Sequence, residues 1–390
     1  MGEEITRRAS LAGALALPFA PLAKVASGAP GLDAIARRGG RRFGSALSAR
    51  ARGASADNPA YAALLRAECG LLVAENEMKW QHLRPAPGAF DFAAFDRIVA
   101  WGVEQRMAVR GHNLLWQRRK WMPAWLEKYD FGARPARTAG DILVDHIATV
   151  TQRYGKRIVS YDVVNEAVTP ETGALEETAL SQALGGTEAT LDLAFRTAHE
   201  HAPHAELVYN DYMSWEPGNA AHRAGVLRLL EGFRRRGVPV HALGVQSHII
   251  TAGTDTSGSA RAYEREWRHF LDAVTGMGYR LLITEFDVRD NGLPVDPVAR
   301  DRGVADYARR YLDVMLDYPQ LRDVVAWGLC DRFSWIGPFE PRPDRADRRP
   351  CPYDADYRAK PLRAAIAQAL TAAKATDGTT PPATLNSAPI

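Results

Sequence analysis

Short apolar runs rich in β-branched residues alternate along most of this chain with stretches whose apolar positions recur at helical spacing. The runs lie at Arg42–Ala46, Leu71–Glu75, Met107–His112, Ile158–Glu166, Leu207–Asp211, Leu243–His248, Leu281–Asp287 and Val324–Leu329. Helical spacing marks, among others, Tyr61–Cys69, Ala93–Gln105, Ala189–His201, Ala221–Arg236, Tyr263–Met277 and Asp306–Leu316. Strand, helix, strand at this regularity predicts parallel strands. Eight repeats predict closure into a barrel rather than an open sheet. The expected fold is α/β, a single (β/α)8 TIM barrel spanning residues 30–370.

Both ends fall outside that alternation. Thr6-Arg7-Arg8 precedes an apolar stretch to Leu22, followed by small residues from Ala23 to Ala29. Charged, then apolar, then small is the order of an export signal, and the arginine pair resembles the bacterial twin-arginine type. Residues 1–29 are therefore read as a signal, with a periplasmic or extracellular destination. Pro18 and Pro21 break the apolar stretch, which is too short to span a bilayer, and no later segment reads as a membrane anchor. Residues 371–390 are rich in Ala, Thr and Pro and read as a disordered tail.

Composition narrows the partners. The 390 residues carry a net charge of +3, which gives no reason to expect nucleic acid. Arginine clusters at Arg234-Arg235-Arg236 and from Arg342 to Arg349 are read as solvated surface, because acidic residues nearly balance the charge. Cys69, Cys330 and Cys351 are too few for a disulfide framework and fit no zinc spacing. A Cys330–Cys351 bridge and free thiols both remain open.

Two runs end in or near a carboxylate that could do chemistry. They are Tyr161-Asp162-Val163-Val164-Asn165-Glu166 and Leu281-Leu282-Ile283-Thr284-Glu285, with the acids 119 residues apart. That gap is close to three repeats of about 40 residues. Catalytic groups of such barrels lie where strands end and the following loops begin. Polar and aromatic residues crowd the same strand ends. They are Glu75-Asn76-Glu77-Met78-Lys79, His112-Asn113-Leu114-Leu115-Trp116, Asn210-Asp211-Tyr212, Gln246-Ser247-His248, and Trp327-Gly328 with Trp335. Amides, carboxylates and imidazoles suit sugar hydroxyls, and flat rings suit sugar C–H faces. Two carboxyls flanking a sugar can break a glycosidic bond.

In order and content these segments, across roughly residues 40–370, resemble glycoside hydrolase family 10, the endo-β-1,4-xylanases. The resemblance implies endo-acting hydrolysis of xylan by retaining double displacement through a covalent glycosyl-enzyme. Glu166 would be the acid/base and Glu285 the nucleophile. Glu75, Asn76 and Lys79 would hold sugars on the non-reducing side of the cut. His112, Trp116, Asn165, Gln246, Trp327 and Trp335 would surround the sugar being cleaved, with Tyr212 also in the groove. His248 would hydrogen-bond the nucleophile and keep it ionised. Xylan and xylo-oligosaccharides are the implied partners of a monomer, and neither a metal nor an organic cofactor is implied.

Tyr161, Gln117 and Met213 depart from the family's usual Trp, His and Asn, which touches subsite preference rather than reaction type. Trp80, Trp101 and Trp125 are expected to pack in the core or between helices. Asp162 and Asp287 are expected to support the site by hydrogen bonding. His146, His199, His201 and His204 are expected to be exposed. A related barrel acting on cellulose, mannan or mixed-linkage glucan would keep both acids and differ in its subsites. A barrel that merely binds polysaccharide should have lost Glu166, Glu285, Asn165 or His248, and all four are present.

Overall fold

The computed structural model describes residues 29–49, 55–251 and 259–376. The segment read as an export signal and most of the segment read as a tail therefore lie outside the described residues. Among the described residues nine parallel strands follow in chain order: β1 (Arg42–Leu47), β2 (Leu71–Ala74), β3 (Ala108–Trp116), β4 (Ile158–Asn165), β5 (Glu206–Asp211), β6 (Ala242–Val245), β7 (His248–Ile250), β8 (Arg280–Arg289) and β9 (Leu321–Ala326). Each barrel strand pairs with its sequence neighbours, β6 pairs with β8, and β1 pairs with β9, so eight strands close a ring. The short β7 lies outside the ring and pairs with the far end of β8.

Helices return the chain after each strand. They span Pro59–Glu68, Ala93–Glu104, Pro135–Tyr154, Thr187–His201, Ala220–Arg235, Ser259–Gly276, Pro297–Leu316 and Pro361–Ala372. Their starts carry local signals. Asn58 and Asp296 accept hydrogen bonds from Tyr61 N–H and Ala299 N–H, each followed by a proline at the first helical position. The apolar faces of these helices and the outward faces of the strands share one core. Inside the ring, Ala46, Leu71, Val73 and Val325 pack under Trp327, and Val208, Ala242 and Leu282 form a second small cluster.

Several sequence expectations need correction. The third strand runs on to Trp116 and the sixth run divides, because Ser247 takes a left-handed turn (φ 65°) between β6 and β7. His146 is wholly buried and stacks on Trp80 at 4.0 Å between ring centroids, because its helix turns that face to the core. Burial pushes its pKa down to about 3. Arg342 and Arg348 are buried as well. The carboxylate of buried Asp290 accepts from Arg348 at 2.9 Å and its carbonyl from Arg342, so these two arginines belong to an internal ion cluster, while Asp344, Arg345 and Asp347 between them stay exposed. All three cysteines are buried free thiols. The last helix continues to Ala372, and Thr376 N–H still bonds Gly39 carbonyl at 3.0 Å, which moves the end of the packed chain beyond 370. No helix among the described residues is long and apolar enough to cross a membrane.

Candidate active site

The mouth of the ring gathers residues from seven of its eight strands or the loops that follow them. Glu166 follows β4 directly and adopts a left-handed backbone (φ 54°), which turns the chain out of the strand. Its N–H still bonds Asn210 carbonyl at 2.8 Å, and the next N–H, of Ala167, donates to the Tyr209 hydroxyl at 3.2 Å. Glu285 lies within β8, and its N–H donates to the Gln246 carbonyl at 2.9 Å. Register shifts fall between His112 and Leu115, Asp162 and Val164, and Ile283 and Phe286. Such irregularities re-aim side chains at a barrel rim.

Neutral donors surround Glu166. Oε1 accepts from Gln246 Nε2 at 2.8 Å and Asn165 Nδ2 at 3.1 Å, and Oε2 accepts from Trp116 Nε1 at 2.9 Å. One cation, Arg118, comes no nearer than 4.0 Å, and it is engaged by Glu176 at 2.6 Å. Burial raises the Glu166 pKa; the amide and indole bonds oppose this, while the charges of Asp211 and Glu285 add to it.

Glu285 sits among basic groups. Oε1 accepts from Asn210 Nδ2 at 2.9 Å and lies 3.9 Å from His112 Nδ1; Oε2 is 3.2 Å from His248 Nε2. Asp287 holds the other His248 nitrogen at 2.9 Å and accepts from Trp335 Nε1 at 2.8 Å. Asp162 bonds His112 Nδ1 at 2.9 Å and accepts from Arg110 at 2.5 Å. Burial alone would raise the Glu285 pKa, but His112, His248 and Lys79 outweigh it and hold the carboxyl down at about 2. Burial also disfavours charge on His248, yet Asp287 and Glu285 carry its pKa up to about 9.

The other expected site residues divide into free and occupied groups. Lys79 Nζ donates to Asn76 Oδ1 at 3.0 Å and lies 4.7 Å from the Trp116 ring centroid. Burial lowers its pKa, against the pull of Glu285, Glu75, Glu166 and Glu77. Burial raises the Glu75 carboxyl to about 6. The Trp116 ring is flanked by the Lys79 ammonium and by Trp121, which stacks on it at 4.9 Å. Its part is the indole N–H on Glu166. The Tyr212 hydroxyl is likewise taken, by Arg118 at 2.9 Å. Trp327 stands edge-on to His112 and His248, and Trp335 edge-on to His248.

Arg118 escaped the sequence reading, and Asn210 was grouped with the polar strand-end residues without a role of its own. Asn210 Nδ2 donates to both Asn165 Oδ1 at 2.8 Å and Glu285 Oε1 at 2.9 Å, so one amide joins the two halves of the site. Thr284 donates to its Oδ1 at 2.6 Å. A Cβ on Gly244 would sit 2.4 Å from that same oxygen, so the neighbouring strand needs glycine there. Strand alternation carried a signal: Asn210 shares a face with Val208, which points into the ring. Arg118 had no such signal, since its partners Glu176, Val168 and Tyr212 come from two other loops.

One carboxyl biased to hold a proton, and another biased to stay charged, can act as acid and nucleophile across one bond. Comparison with known proteins points the same way. Residues 31–369 match Glycosyl hydrolase family 10. Endo-1,4-beta-xylanase 5 of Pyricularia oryzae is 32% identical over 356 residues, covering 90% of this chain and 81% of the relative. Native xylanase 10B of Thermotoga maritima superposes with a TM-score of 0.75 at 27% identity, over 87% of this chain and 98% of that one. Xylanase 10B of Thermotoga petrophila RKU-1, solved in complex with xylobiose, gives 0.75 at 26% identity, over 87% and 97%.

Proposed function

The chain belongs to glycosyl hydrolase family 10 and cleaves β-1,4-xylosidic bonds of xylan internally with retention, and we propose that Glu166 is its acid/base and Glu285 its nucleophile. The observation that carries these roles is the opposite setting of the two carboxyls, raised in Glu166 and depressed to about 2 in Glu285.

Glu285 attacks the anomeric carbon while Glu166 gives its proton to the departing glycosidic oxygen. The C–O bond of the glycoside breaks as the ester to Glu285 forms. Glu166, now charged, takes a proton from water, whose oxygen attacks the same carbon and releases Glu285. Asn165 is held between Glu166 and Asn210, which supports a role at the sugar 2-hydroxyl. Glu75, Asn76 and Lys79 would bind hydroxyls of the adjoining sugar. Trp327 and Trp335 would wall the space a glucose hydroxymethyl needs, which favours xylose; Asp287 fixes the Trp335 ring for that purpose.

The order of charged, apolar and small residues over positions 1–29 supports export by a twin-arginine route to the periplasm or medium. Replacing both Arg7 and Arg8 by Lys should leave the activity in the cytoplasm. Proton NMR of products from xylohexaose tests the reaction. Internal cleavage with the β-anomer appearing first is expected. An α-anomer first, or release of single xylose units from one end, would overturn it.

A further inference from the structure

Trp121 is 38% exposed on the rim next to the acid, in a loop that is otherwise tied down. Before it, Arg118 is anchored by Glu176, the Val168 carbonyl and Tyr212, and Arg119 N–H donates to Glu176 at 3.0 Å. After it, Met122 is buried. Trp121 and Met122 N–H both bond the Arg118 carbonyl, at 2.9 and 3.0 Å, closing a tight turn. The indole is thus displayed by a fixed backbone and is not left out by loose packing.

Its inner face lies on Trp116, with 4.9 Å between centroids and 15° between planes. Trp116 in turn donates to Glu166. The Lys120 ammonium also lies over the ring, 4.8 Å from its centroid, on an exposed side chain. A cation over an exposed ring is weakly held and easily displaced. What remains is a flat, partly exposed indole mounted parallel on Trp116, one residue removed from Glu166, the surface that pyranose C–H groups prefer.

We propose that Trp121 is a sugar platform, binding a xylose ring of the chain beyond the sugar being cleaved and so setting a preference for longer substrates. This rests on the xylanase reading above. The test compares kcat/KM of wild type, Trp121→Ala, Trp121→Leu and Trp121→Phe on xylohexaose and on 4-nitrophenyl β-xylobioside. Trp121→Ala and Trp121→Leu should lose about three- to tenfold on xylohexaose, through KM, and nothing on the short glycoside. Trp121→Phe should keep most of the activity, since a flat ring is restored. Equal losses on both substrates, carried by kcat with a displaced pH profile, would make Trp121 a mere prop for Trp116 and overturn the platform. So would a Trp121→Leu enzyme that matches wild type, because leucine covers Trp116 without offering a flat face. A wild type that cuts neither substrate would instead sink the xylanase reading, and the platform with it.

Discussion

Glu166 and Glu285 are the same residue on the same rim of one barrel, yet their surroundings oppose each other. Around Glu166 the contacts are an indole, two amides and a distant, already paired arginine. Around Glu285 are two histidines, each backed by its own aspartate, with Lys79 close enough to act on it. Both side chains are largely buried, at 12% and 7% exposure, so burial pushes both pKa values up. Basic neighbours reverse that push for Glu285, and nothing reverses it for Glu166. Burial therefore supplies a common offset, and the neighbours decide which carboxyl becomes acid and which nucleophile.

The largest effect expected from breaking this asymmetry is at Glu285. Glu285→Ala should lower turnover of xylan and aryl glycosides alike by about 10⁴-fold or more. Steady-state rates on both substrate types check this, and activity retained on either would remove its nucleophilic role. Glu166→Ala should cost about 10² to 10⁴-fold on xylo-oligosaccharides. It should spare the first step on aryl glycosides with good leaving groups, which need no proton, so rapid mixing should reveal a burst of phenol. Equal loss on both substrates in a folded variant would erase the distinction between the acids.

His248→Asn is the milder intervention. It removes a donor and a positive charge from Glu285, so the nucleophile's pKa rises and the acidic limb of kcat/KM moves up by about one pH unit or more. Wild-type activity should accordingly persist towards pH 2 on the acid side, as far as the fold survives. Stability follows with opposite signs for the two partners. The raised His248 pKa contributes stability in full below about 6.5, the ordinary histidine value, and this is lost as pH rises through about 9. The depressed Glu285 pKa contributes above about 4.3, and this is lost as pH falls towards about 2. Thermal melts of wild type and His248→Asn should differ most between those two ordinary values; a gap independent of pH would mean that only packing was lost.

The smallest effect is expected at Trp116. Trp116→Phe deletes one bond to the charged form of Glu166, so the acid's pKa rises further and the alkaline limb moves up by roughly half a pH unit. A limb that moves down would show that Trp116 does not oppose ionisation of the acid.

Much of this was legible before any coordinates. Eight apolar runs predicted the ring, and Glu166 stands just past the end of β4 as expected, whereas Glu285 and His112 lie within β8 and β3. The failures share a cause. His146, Arg342 and Arg348 were read as exposed because their residue types are polar, but each is buried against a partner far away in the chain, Trp80 for His146 and Asp290 for the two arginines. Trp116 was read as one of the residues around the sugar being cleaved, and the structure sets its ring against Lys79 and Trp121. Asn210 was grouped with the polar strand-end residues but given no role of its own, although its strand parity pointed inward.

By itself the sequence determined the alternation of strand and helix, the barrel it implies, and the identity of two candidate acids. Those follow from local periodicity and from where a strand must stop. Only the tertiary structure decided which acid is held protonated and which charged. That depends on His112 from β3, Asn210 from β5 and His248 from β7 converging on Glu285, while Trp116 and Gln246 reach Glu166. Electrostatic interaction depends on distance through space, and the separation of these residues along the chain carries no measure of it.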